Sequence, residues 1–103
     1  MKEIVFTRRF ERDFRRLKRK LPRQSLDYET LEYVFELLQA GRPLPNAFRE
    51  HPLGDDFAGF KECHLDTDWL LIYRVLRHRV VLHRTGTHSD LFRSRGSAPP
   101  RQK

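Results

Sequence analysis

The run Trp69-Leu70-Leu71-Ile72-Tyr73-Arg74-Val75-Leu76 decides the fold, because it is apolar at nearly every position and does not alternate. A strand with one wet face alternates apolar and polar residues, so a run without alternation belongs to a central strand covered on much of both faces. Two further β-type runs flank it, Gly59 to Leu65 and Val80 to Thr85, through the connectors Asp66-Thr67-Asp68 and Arg77-His78-Arg79. Connectors this short join antiparallel neighbours, so the three runs predict a meander with the Trp69 run in the middle.

Upstream, Ile4-Val5-Phe6 is a short β-prone stretch ending at Thr7, a residue type suited to cap a helix. From Arg8 to Leu21 the apolar residues Phe10, Phe14, Leu17 and Leu21 recur at helical spacing, with arginines and lysines over the rest of the surface, and Pro22 stops the helix. A second helix starts after Ser25 or Asp27, buries Leu31, Val34, Phe35 and Leu38, and ends at Gly41-Arg42-Pro43. The expected class is therefore α+β: an N-terminal strand and two antiparallel helices packed on one face of a mainly antiparallel four-stranded sheet. Between helices and meander, Arg42 to Asp56 holds Pro43, Pro45, Pro52 and Gly54 without a usable period and reads as a long ordered loop. Residues 1–92 make one domain, closing on a helical turn at Thr87–Phe92. Residues 93–103, with Gly96, Pro99, Pro100 and four basic side chains, read as a basic, disordered tail.

At 103 residues and 38% hydrophobic content, one modest core is feasible. No apolar run approaches the roughly 20 residues of a spanning helix, and the start does not resemble a secretion signal, so no membrane association and a cytoplasmic location are expected. Cys63 is the single cysteine, which excludes an internal disulfide and a Cys-rich zinc site. The formal charge is +7, and nine basic residues between Arg8 and Arg23 face only Glu11 and Asp13, an excess equal to the whole. Ser25 to Asp68, by contrast, sets Arg42, Arg49 and Lys61 against ten carboxylates. A cationic block of this kind attracts polyanions such as nucleic acid, and it suits a solvated helix face or an acidic protein partner equally well.

Three of the five histidines stand where loops meet strands: His51, His64 and His88. Histidine is the side chain best able to exchange protons near neutral pH. Strand geometry puts Glu62 and His64 on one face and Cys63 and Leu65 on the other, so helices on the Cys63 side leave Glu62 and His64 facing the open side. Asp68, across a short loop, comes close to His64, where a carboxylate orients an imidazole or raises its pKa. His78 and His83 have no evident partner and stay hydrogen-bonded surface or core groups. Arg84-Thr85-Gly86-Thr87-His88 brings an arginine and a histidine to one mouth. Phe92 is a plug for the sheet edge or a stacking platform for a base, with the plug favoured. The three histidines lack the close grouping of many zinc sites, so no metal is expected. A Gly-rich phosphate loop, a nucleophile elbow and paired glycosidase carboxylates are also lacking.

The phrases Glu50-His51-Pro52-Leu53-Gly54, Gly59-Phe60-Lys61-Glu62-Cys63-His64, Asp68-Trp69-Leu70-Leu71-Ile72-Tyr73-Arg74 and Arg84-Thr85-Gly86-Thr87-His88-Ser89-Asp90-Leu91-Phe92, in this order, resemble the YafQ branch of the RelE/ParE toxin superfamily. The resemblance covers about residues 1–92 and is specific from Glu50 onward. It implies a RelE-like fold and the toxin of a type II toxin–antitoxin system, an mRNA endoribonuclease acting in the ribosomal A site without metal or other cofactor. It implies as partners an acidic antitoxin of RelB/DinJ type, the 70S ribosome and A-site mRNA. Carried over residue by residue, it makes His51, His64, Asp68 and His88 the catalytic set, with His88 the general acid, His64 or His51 base or phosphate ligand, and Asp68 the orienter of a neighbouring imidazole. Arg84 and Lys61 are then candidate cations for the phosphate, although a regular strand points Lys61 away from Glu62. Phe92 stacks on the target base, Glu62 replaces a family aspartate, and the basic first helix grips ribosomal RNA. Two other readings share these features: a non-catalytic ParE-like toxin that inhibits DNA gyrase, and a basic RNA- or ribosome-binding module.

Overall fold

The computed structural model describes residues 1–22, 26–54 and 57–92. The basic tail at 93–103, and Ser25 as a start for the second helix, lie outside the described residues. Strand β1 (Glu3–Phe6) leads into helix α1 (Arg8–Lys20), and helix α2 (Tyr28–Gln39) follows. After a 3₁₀ turn at Asn46–Phe48 come β2 (His51–Pro52), β3 (Lys61–Asp66), β4 (Trp69–Val75), β5 (Arg79–Gly86) and α3 (His88–Phe92). The sheet order is β1-β5-β4-β3-β2, with β1 parallel to β5 and the other pairs antiparallel.

The expected strand count needs correction. The sheet has five strands, because His51 and Pro52 inside the proline-rich loop pair with Glu62 and Lys61. A two-residue edge strand carries no periodicity, and Pro52 is tolerated there because an edge position leaves its missing N–H unneeded.

Both helices start on side-chain caps. Thr7 Oγ1 accepts from Phe10 N at 3.1 Å and donates to Leu82 O at 2.8 Å, so the cap of α1 also ties it to β5. Asp27 Oδ1 accepts from Thr30 N at 3.1 Å at the start of α2. These helices bury Phe10, Leu17, Leu31, Val34 and Leu38 against Cys63, Leu71, Tyr73, Val80 and Leu82 of the sheet. On the opposite face a smaller cluster of Leu70, Ile72 and Leu91 gathers Leu53 and Phe60 from the loop. Strand β4 is thus covered on both sides, which is why its sequence does not alternate. Each fully buried leucine of this kind contributes roughly 1.5–3 kcal/mol. Among the described residues, no helix is long and apolar enough to cross a membrane.

Leu91, not Phe92, plugs the open face: Leu91 is fully buried, whereas Phe92 is 41% exposed. The favoured plug reading of Phe92 is overturned because α3 turns adjacent residues about 100° apart, and only one of the two can point inward. The turn into α3 requires Gly86, where a Cβ would lie 3.0 Å from the Cβ of Asp90.

Candidate active site

Pairing of β2 with β3 sets His51 opposite Glu62, and the two side chains meet: His51 Nε2 lies 3.0 Å from Glu62 Oε1. His64 stands two residues along β3 on the same face, with its ring 6.2 Å from that of His51 and 5.9 Å from that of His88. The three imidazoles therefore form a row, with His64 at the centre.

Asp68 anchors the far end of the row. Its Oδ1 accepts from the backbone N of His88 at 2.9 Å and meets His88 Nδ1 at 2.6 Å. Both hydrogen bonds hold the Asp68 carboxyl below the usual range, the backbone one foremost, so it is an acceptor only. The proton of that short contact must then sit on Nδ1, so Nε2 of this half-exposed ring is the nitrogen that Asp68 does not hold. The imidazole that Asp68 holds is His88 and not the expected His64, because α3 folds back over the β3–β4 turn.

Burial pulls the proton affinity of His64 down, and the nearby charge of Arg49 adds to the effect. A ring so placed is neutral at neutral pH and ready to accept a proton. Glu62 is almost fully buried beneath the row, and its Oε2 has no hydrogen-bond partner among the described residues.

The structure brings His51, Glu62, His64, Asp68 and His88 together. Lys61 and Arg84 take other partners. Lys61 Nζ lies 3.9 Å from Glu50 Oε2, a carboxylate that also accepts from the hydroxyl of core residue Tyr73. Arg84 is buried against α1, where its Nε donates to Asp13 Oδ2 at 2.6 Å and its Nη2 to Oδ1 at 3.1 Å. His78 is exposed, and His83 is a half-buried ring 4.8 Å from Phe60, its proton affinity lowered by burial. Cys63 is buried on the helix side, and burial pushes its thiol up to about 12, which makes it a core group.

Arg49 is the cation that sequence reading missed. It caps the 3₁₀ turn in the left-handed region at φ 52° and, with His64, lines an open cleft of about 440 Å³. Its only sequence signal is adjacency to Glu50-His51.

The spacing objection to a metal also weakens. His51, Glu62 and His64 each offer a donor atom, all within 4.8 Å of one another. Two imidazoles and a carboxylate suit zinc or copper, and the partnerless Glu62 Oε2 is a spare donor in the same place.

Residues 2–93 match the family of bacterial toxins of type II toxin–antitoxin systems, YafQ. The chain belongs to the YafQ family. It is 30% identical over 92 residues to the mRNA interferase toxin YafQ of Escherichia coli (strain B / BL21-DE3), an alignment covering 88% of this chain and 96% of that one. Its fold is similar to that of a copper-bound mutant toxin from Helicobacter pylori, with TM-score 0.80 and 32% identity over 89% of this chain and all of the other. It is also similar to a chain of the E. coli DinJ–YafQ complex, with TM-score 0.75 and 30% identity over 89% of this chain and 99% of that one. In this chain the helices cover one side of the sheet, and the imidazole row lies on the other.

Proposed function

We propose how this type II toxin, an mRNA interferase of the YafQ family, cuts its substrate: His64 and His88 act as base and acid on a single phosphodiester. RNA carries its own nucleophile. Neutral His64 takes the proton of the 2′-OH, the 2′-oxygen attacks the adjacent phosphorus, and His88 Nε2 delivers a proton to the departing 5′-oxygen. The products are a 2′,3′-cyclic phosphate and a 5′-hydroxyl. Asp68 holds the His88 ring in orientation and tautomer. His51, fixed on Glu62, and Arg49 face the charge that builds on the phosphate, while Arg84 is engaged by Asp13. Phe92 stands four residues after His88 on the same side of α3, half-exposed, and stacks on the target base. The substrate strand lies in the A site of the ribosome, in the cytoplasm, and an acidic antitoxin of DinJ type is the partner that restrains the toxin. A gyrase poison would need none of these imidazoles.

The observation that carries this reading is the Asp68–His88 pair facing neutral His64 at 5.9 Å between ring centres. Mapping mRNA 5′ ends in a translating extract tests it. The pH profile of cleavage is expected to be bell-shaped, with its acid limb below the ordinary histidine range, because His64 keeps its neutral form to lower pH than a free imidazole. Uncut mRNA, or a flat profile, would defeat it.

The His51–Glu62–His64 donor set favours a second occupant. A bound zinc or copper ion would occupy the ring lone pairs that proton transfer and phosphate contact use, so it acts as an inhibitor. Stoichiometric Zn²⁺ or Cu²⁺ is expected to raise the melting temperature and stop cleavage, with a chelator reversing both. Glu62→Gln should weaken the thermal shift. Cleavage unchanged at stoichiometric metal would remove the inhibitory role.

A further inference from the structure

Strand β3 outruns the partner on its outer side. Strand β2 pairs with Lys61 and Glu62 and ends there. Backbone groups alternate along a paired strand, and Leu53 N donates to Phe60 O at 2.9 Å, so Phe60 and Glu62 turn their N–H and C=O toward β2 while Lys61 and Cys63 turn theirs toward β4. His64 follows the parity of Glu62. Its N–H and C=O therefore point past the end of β2, where among the described residues no other backbone group meets them. At this bare edge lies the open cleft of about 440 Å³ whose walls include Phe48, Arg49, His64, Asp66 and Thr67.

Asp66 is the unexpected member. A carboxylate on the wall of an RNA-cutting cleft repels phosphates and suits groups that donate hydrogen bonds. Asp66 Oδ1 accepts from Thr67 N at 2.8 Å, which sets the direction of the carboxylate, and among the described residues Asp66 forms no ion pair. Phe48, half-buried and with its ring 6.2 Å from that of Tyr33, gives the cleft an aromatic wall. The cleft thus joins an aromatic surface, a backbone donor and acceptor, and a side chain that only accepts. Unstacked RNA bases are held by such sets, on a face and along a hydrogen-bonding edge.

We propose that this cleft receives the base of the nucleotide 5′ of the cut, and that Asp66 selects adenine, cytosine or guanine there over uracil. The inference rests on the nuclease reading above, in which His64 takes the 2′-OH proton of that same nucleotide. Adenine, cytosine and guanine each carry an exocyclic amino group that donates to a carboxylate. Uracil carries none, and its one ring N–H lies between two carbonyl oxygens that a carboxylate repels.

The test uses the full chain in a translating extract, with messages identical except for the nucleotide 5′ of the mapped cut. The parent should cut the uracil message about tenfold more slowly than the other three, the discrimination that one good base contact supplies. Asp66→Asn keeps an oxygen for Thr67 N and adds an amide N–H that donates to a uracil carbonyl, so it should bring the four messages close together. Its pH profile should match the parent's, because Asp66 is not among the groups that shift the proton affinity of His64. A parent that cuts all four messages alike would overturn the subsite, as would an Asp66→Asn chain that keeps the parent's preference. The nuclease reading fails separately, in a parent that cuts none of the four. The subsite is then decided by binding: the parent should hold labelled oligoadenylate and oligocytidylate more tightly than oligouridylate, with the difference lost in Asp66→Asn, and equal binding of the three by the parent would overturn it.

Discussion

His88→Ala is expected to slow mRNA cleavage by about 10²–10⁴-fold, the range a positioned proton donor contributes. His88 and Asp68 are both about half exposed, with side-chain exposures of 51% and 57%, so truncating the ring should leave stability nearly unchanged. Leu91, three residues on, keeps α3 docked because it is buried against Leu70 and Ile72. A loss of rate at constant melting temperature is therefore the expected signature. Asp68→Asn separates orientation from proton delivery. An amide at Oδ1 still accepts from Nδ1, while its flipped form presents an N–H and selects the other ring tautomer. The rate should drop less than for His88→Ala, and the pH profile should move. Should His88→Ala cleave as fast as the parent, proton delivery belongs to another group, and His51 is the next imidazole in the row.

Much of the architecture was legible because it follows from burial. The Trp69 run lacks alternation, and the structure covers β4 on one face with the helices and on the other with Leu91, Leu53 and Phe60. Phe10 and Leu17 on α1, like Leu31, Val34 and Leu38 on α2, lie at helical spacing because each faces one sheet. The alternation Glu62, Cys63, His64, Leu65 placed the chemistry on the open side, and the helices do lie on the Cys63 side. What escaped depends on contacts between distant segments. Strand β2 is two residues long and exists through its register with β3. Asp68 chose His88 over His64 because α3 returns across the β3–β4 turn, and Arg49 reaches the His64 cleft through one left-handed residue. Arg84 looked like a cation at the histidine mouth. Its strand carries a bulge where Ile72 pairs with Arg84 but Tyr73 pairs with Leu82, and the guanidinium meets α1.

That ion pair carries the largest expected effect on stability. Asp13 and Arg84 have side-chain exposures of 9% and 7%, and the contact is fork-like, at 2.6 and 3.1 Å. Asp13 Oδ2 also accepts from Thr85 N at 3.2 Å. Removing one partner of such a pair takes away the counter-charge that the other holds in a buried place, which costs about 3–5 kcal/mol. Asp13→Ala should lose roughly that much in urea denaturation, a large share of the ~5–15 kcal/mol total of a small domain. Replacing both partners removes the remaining charge, so Asp13→Leu combined with Arg84→Met should recover most of the loss, because two apolar side chains in a buried position can be as stable as the pair. Recovery in the double variant separates a desolvated charge from a packing defect, which would persist. A loss below about 1 kcal/mol for Asp13→Ala would mean that water or another group compensates Arg84, since exposed pairs are worth no more than that. The same pair ties α1 to the segment that ends in His88, so a double variant that regains stability but cleaves slowly would show that the pair also sets where α3 places its imidazole.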